Sequence, residues 1–108
     1  MKLNDLYPSR FIKADDCKSE PLVYTIGGVT LEKLGDDERK KPIVSFNETE
    51  KCLVLNRTNG DALGQMYGEE TVGWIGRQVE LYASRVNFGG KMVDCVRIRQ
   101  PNSARINF

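Results

Sequence analysis

The chain has 108 residues, 40% hydrophobic and 29% charged, with a formal net charge of +1. That length suits one domain, 1–108, with a core of its own. No apolar run approaches the ~20 residues of a membrane span, and the opening Met1-Lys2-Leu3-Asn4-Asp5 lacks a signal-peptide core. Cys17, Cys52 and Cys95 are far apart and there is no histidine, so reduced structural thiols in a cytoplasmic setting are expected.

Residues 1–20 carry Leu3, Leu6, Tyr7, Phe11 and Ile12, too apolar for a loose tail. They are expected to form an ordered arm over an edge or end of a sheet, with Ser9 capping a short turn from Arg10 to Lys13. Leu22 to Leu34 reads as one long strand. Its Gly27-Gly28 pair predicts a bulge or bend that lets the strand serve both halves of a small barrel. Gly35 to Lys41 is a charged hairpin loop, and its adjacent acids read as a solvated tip.

Pro42 to Phe46 is the second strand and Lys51 to Asn56 the third. A helix capped by Thr58 or Asn59 runs to about Tyr67, with Ala62, Leu63, Met66 and Tyr67 as its apolar stripe. Gly68 fits the position that ends it. Trp74, the only tryptophan, reads either as a plug at one end of the core or as a ring offered to a ligand.

Gln78 to Gln100 is the strongest signal in the chain. Two runs rich in Val, Ile and Tyr flank Asn87-Phe88-Gly89-Gly90, which predicts a β-hairpin whose glycines supply positive φ. Val79, Leu81 and Ala83 share the inward face. Arg97 and Arg99, joined by Tyr82 and Arg85, are expected on the outer one. Residues 101–108 form a mixed tail without a run of acids.

The element order is strand, strand, strand, helix, strand, strand. It is all-β with one helix between the third and fourth strands, the layout of a five-stranded OB-fold barrel. Such barrels bind oligonucleotides on the strand 2–3 face between two loops. Here those loops are Gly35–Lys41, with Arg39, Lys40 and Lys41, and Asn87–Lys91.

Charge is unevenly spread. Residues 1–56 hold nine Lys+Arg and ten Asp+Glu, a net of −1, whereas residues 85–108 hold five cations and Asp94 alone, a net of +4. The local balance sets the field over a binding face. Cations follow phosphates and aromatic rings stack on unpaired bases. The candidate stacking residues are Tyr24, Phe46, Tyr82 and Phe88. The candidate phosphate contacts are Lys51, Arg77, Arg85, Lys91, Arg97 and Arg99. Phe46 also fits the core, and Phe88 on a turn has the least reason to be there. Without histidine or a phosphate-binding glycine loop, no catalysis, metal or cofactor is expected.

The chain also resembles a family of small phage and prophage proteins of OB-fold type. The resemblance rests on Leu6-Tyr7-Pro8-Ser9-Arg10-Phe11-Ile12-Lys13-Ala14, Lys41-Pro42 with Phe46, and Leu53-Val54-Leu55-Asn56 with Thr58-Asn59. Trp74-Ile75-Gly76-Arg77, Leu81-Tyr82 and Gly89-Gly90-Lys91 complete it, so it spans nearly the whole chain. It implies a role accessory to DNA replication or recombination in a bacterial host. The expected ligand is single-stranded DNA, with RNA and the oligomeric state left open. The alternative is an interaction module that docks on a phage or host replication or recombination protein. A structural virion component is a third reading.

Overall fold

The computed structural model describes residues 10–34 and 38–101. Five antiparallel strands form one sheet in the order β3-β2-β1-β4-β5. They are β1 (Leu22–Lys33), β2 (Lys40–Phe46), β3 (Cys52–Val54), β4 (Gln78–Phe88) and β5 (Lys91–Arg99). Helix α1 (Arg57–Tyr67) lies between β3 and β4. Short 3₁₀ turns at Ala14–Cys17 and Thr71–Trp74 complete the fold. Among the described residues, no helix is long and apolar enough to cross a membrane.

The first strand is the spine. Its Leu22–Thr25 segment pairs with β4, and its Ile26–Lys33 segment pairs with β2. The register slips between Ile26 and Gly28, at the glycine pair. A β-carbon on Gly27 would lie 2.6 Å from Asn47 Oδ1, so a side chain at the bulge would displace that amide. Glu48 fixes the bend from outside. Its carboxylate accepts from Thr25 N–H and Thr25 Oγ1, both at 2.7 Å.

The sheet has two edges, β3 and β5, and among the described residues no ladder joins them. The N-terminal segment spans the interval instead. Phe11 forms a parallel bridge with Cys52, Ile12 N–H donates to Cys52 O at 2.8 Å, and Cys52 N–H donates to Arg10 O at 2.7 Å. Four residues later the Ala14–Cys17 turn packs against β4 and β5, burying Cys17. Residues 10–12 thus cover the β3 edge, while residues 1–9, with Leu3, Leu6, Tyr7 and the expected Ser9 cap, lie outside the described residues. The turn that forms is held by Lys13 N–H donating to Asp16 Oδ2 at 2.8 Å.

The β5 edge is met by the helix. Asn59 is buried and its Nδ2 donates to Val96 O at 2.9 Å. A polar side chain there replaces a strand partner, because a buried carbonyl needs a donor. Asn56, rather than Thr58 or Asn59, caps the helix, accepting from Asn59 N–H at 2.8 Å. The segment Asn56-Arg57-Thr58-Asn59 offers three capping residues in four positions, and tertiary packing of Asn59 decides among them. Leu63 is fully buried, Met66 and Tyr67 pack against the core, and Gly68 ends the helix with φ 94°.

Trp74 is the plug: it is 5% exposed and its Nε1 donates to Gly68 O at 2.7 Å. Of the three cysteines, Cys17 is buried and Cys52 and Cys95 are half-buried, and all are free thiols.

Candidate nucleic-acid interface

The β4–β5 ladder runs through nine pairs, from Glu80↔Arg99 to Phe88↔Lys91. Gly89 and Gly90 close it with φ 60° and 84°, the two positive values a type I′ turn requires. Alternation then sorts the side chains. One face carries Val79, Leu81 and Ala83, opposed by Ile98 and Val96, and packs on the core. The other carries, from foot to tip, the pairs Glu80/Arg99, Tyr82/Arg97, Ser84/Cys95, Val86/Val93 and Phe88/Lys91.

Cations and rings meet repeatedly on this outer face. The Arg99 guanidinium carbon lies 4.1 Å from the Tyr82 ring centroid. Arg97 is directly opposite Tyr82, and Lys91 directly opposite Phe88, which is 76% exposed. At the foot, the Arg77 guanidinium carbon lies 5.6 Å from the Tyr67 ring centroid. Arg77 borders a cleft of ≈ 450 Å³ shared with Thr25, Tyr67, Gln78, Gln100 and Pro101. From Gln78 to Phe88 the face extends ~33 Å at ~3.3 Å per residue.

The cations are not equivalent. Arg99 Nε donates to Glu80 Oε2 at 2.5 Å, and Glu80 is only 3% exposed. Arg99 is therefore neutralised locally and acts to hold the Tyr82 ring. Lys91, Arg97 and Arg77 have no carboxylate within 4 Å among the described residues. Their charge is available to an anion.

Arg85 corrects the sequence reading. It is opposite Asp94, on the face of Leu81 and Ala83, and its Nε lies 3.6 Å from Asp94 Oδ1. Lys18 reaches the same carboxylate at 2.8 Å. Hydrogen bonding to Lys18 holds the Asp94 carboxyl below its ordinary range. Arg85 thus serves the contact between the Ala14–Cys17 turn and the hairpin.

Three other candidates also lie away from the outer face. Phe46 is buried and its ring centroid is 5.4 Å from that of Tyr24, which packs against the core beside it. A base has no access to the Phe46 ring, so its stacking assignment is withdrawn. Lys51 precedes β3 and its Nζ is 3.0 Å from Asp16 Oδ1. Asp16 is itself held below its ordinary pKa, first by the Lys13 N–H and then by Lys51.

The strand 2–3 face is not an open platform. Ile43 and Val44 are adjacent in β2 and both are buried, so that strand is covered on both sides. Of the loop opposite, residues 35–37 lie outside the described residues, and Lys40 and Lys41 belong to β2. Exposed cations and rings lie together on the hairpin, and a further pair, Arg10 over the Phe11 ring at 4.8 Å, lies at the β3 edge.

Sequence reasoning missed Glu80, Tyr67, Gln78 and Gln100. The register of the hairpin would have placed Glu80 beside Arg99. Tyr67 and Gln78 are tied only by tertiary contact: Tyr67 Oη donates to Gln78 O at 2.5 Å. Among the described residues, no group of three Cys, Asp or Glu is arranged to hold a metal ion. Comparison with protein-family models, curated proteins and solved structures gives no match.

Proposed function

We propose that this chain is a sequence-independent single-stranded DNA binder of OB-fold type, acting in phage DNA replication or recombination in the cytoplasm of a bacterial host. The observation that carries the reading is the outer face of the β4–β5 hairpin. It sets Arg97 and Arg99 around Tyr82 and Lys91 opposite Phe88 along one continuous face, and the Arg77–Tyr67 pair lies just before the strand begins. Cations at intervals track a phosphate backbone, and exposed rings stack bases with little regard to sequence. The strand order supports the fold part of the reading. A bent β1 shared between β2 and β4 is compatible with an OB-type barrel, and residues 10–17 run from the β3 edge to β4 and β5. No catalytic step belongs to this reading.

The test is fluorescence anisotropy of a labelled ~30-nucleotide oligo-dT at two salt concentrations. Counterion release makes phosphate binding weaken steeply with salt. Binding to duplex alone, with none to single strands, rejects the reading.

A second reading has its own observation. Val93 and Met92 are exposed beside Phe88 at the hairpin tip, with Val86 half-buried. Apolar exposure of this kind suits docking on a replication or recombination protein. Salt-insensitive complex formation with such a protein, and no oligonucleotide binding, favours it.

A further inference from the structure

We infer that the distal edge of β5, Lys91–Cys95, pairs antiparallel with the same edge of a second copy of this chain, across a two-fold axis at Val93. The inference is independent of the single-strand reading and adds an interface to it.

The two edges of the sheet are treated differently. Residues 10–12 cover β3, whereas the cover of β5 among the described residues is at Val96, whose carbonyl accepts from Asn59 Nδ2. That bond also fixes the orientation of the edge. Ladder groups alternate between the two sides of a strand, so Asp94 and Met92 aim their N–H and C=O away from β4 as Val96 does. These groups meet no partner among the described residues. Lys91 to Asp94 are exposed, Met92 by 53% and Val93 by 40%. An exposed edge with apolar side chains and no proline is a template for another strand.

The residues of the edge select the occupant and the register. A two-fold axis perpendicular to the sheet sets residues of one face opposite each other, and an isologous contact must be self-complementary. Registers that place Val96 in the new ladder are closed by Asn59, which excludes centring on Asp94 or Cys95. Centring on Asp94 would also oppose two carboxylates. Centring on Met92 sets Asp94 against Gly90, which lies in the turn at φ 84° and outside the strand. Centring on Val93 sets Met92 opposite Asp94 of the second copy on either side of the axis, and each such pair exchanges both backbone hydrogen bonds.

Side chains agree with this register. Val93 meets Val93 of the second copy, and each is backed on the outer face by its own Val86. Charge is balanced, because Asp94 enters the contact already holding Lys18 and Arg85. The edge is ~17 Å long at ~3.3 Å per residue, small against an interface burying ~800 Å² per partner, so a reversible dimer is expected. The axis keeps both outer faces on one side, and the dimer presents the Tyr82 and Phe88 rows of two copies on a single surface.

Sedimentation equilibrium of the protein without nucleic acid, up to ~1 mM, compares wild type with Val93→Lys and Val93→Glu. Wild type is expected to show a concentration-dependent dimer. Each variant alone opposes like charges across the axis and is expected to dimerise about tenfold or more weakly. Mixing the two variants opposes unlike charges and is expected to restore the dimer. Met92→Pro removes an N–H that points away from β4, which an edge strand tolerates. It is expected to keep its circular dichroism spectrum and to lose the dimer. A wild type that stays monomeric at every concentration overturns the inference, whatever the protein does with oligo-dT. A dimer that survives in all three variants, or a mixture no tighter than either charged variant alone, overturns the β5 edge as the contact.

Discussion

Arg99 Nε lies 2.5 Å from Glu80 Oε2, and this carboxylate is buried while the arginine is half-exposed. The pair therefore anchors Arg99 over Tyr82 rather than leaving it for a ligand. Arg99→Ala removes that bond and is expected to lower stability by about 1.5–3 kcal/mol, the value of a hydrogen bond to a charged group. Urea unfolding measures it, and an unchanged midpoint would mean that Glu80 is satisfied without Arg99.

Lys91 and Arg97 behave differently because neither has a carboxylate partner among the described residues. Lys91→Ala and Arg97→Ala are each expected to weaken oligo-dT binding and to reduce the slope of log K against log salt by about one. The unfolding midpoint of Lys91→Ala should not move. Arg85→Ala, by contrast, should leave the salt slope unchanged, since Arg85 faces Asp94.

Phe88 contributes almost nothing to the core, being 76% exposed beside a two-glycine turn. Phe88→Ala is expected to cost about 1–3 kcal/mol of single-strand affinity, the value of one stacked base. Its unfolding midpoint should match wild type. A stability loss without an affinity loss would make Phe88 an anchor of the loop instead.

The hairpin and the bent first strand were legible because local chemistry dictates them. Gly89-Gly90 permits few turns other than I′, and Gly27-Gly28 interrupts a strand pattern that otherwise continues. The helix was legible from its apolar stripe, but its cap was not, since several polar residues there suit the role equally. The arm was recognised by its apolar content, yet nothing local says that Phe11 pairs with Cys52 or that Cys17 enters the core. The site was legible by residue type and not by position. Four of the ten candidates, Tyr24, Phe46, Lys51 and Arg85, lie off the outer face, because Phe46 finds a ring partner, Lys51 and Arg85 find carboxylates, and these are tertiary facts.

Among the described residues, three carboxylates are held below their ordinary pKa range: Glu48 by the Thr25 N–H and hydroxyl, Asp16 by the Lys13 N–H, and Asp94 by Lys18. A carboxylate depressed on folding stabilises the folded state above its unfolded pKa, and that stability is lost as pH falls through the folded value. The protein is expected to be stable at neutral pH and to lose stability progressively below ~pH 4. Thermal unfolding across pH measures this. Glu48→Gln should lower the midpoint at neutral pH and flatten its fall on acidification, because its share is already missing. An acid fall as steep in Glu48→Gln as in wild type would contradict the assignment.

The most direct measurement is a ¹⁵N chemical-shift map of the protein titrated with oligo-dT at low salt. The account predicts shifts concentrated on Tyr82–Phe88 and Lys91–Arg99, continuing to Arg77 and Gln78, with Cys52–Val54 and Trp74 unmoved. Shifts centred on β3 or Trp74, or none at all, would contradict the hairpin as the nucleic-acid interface.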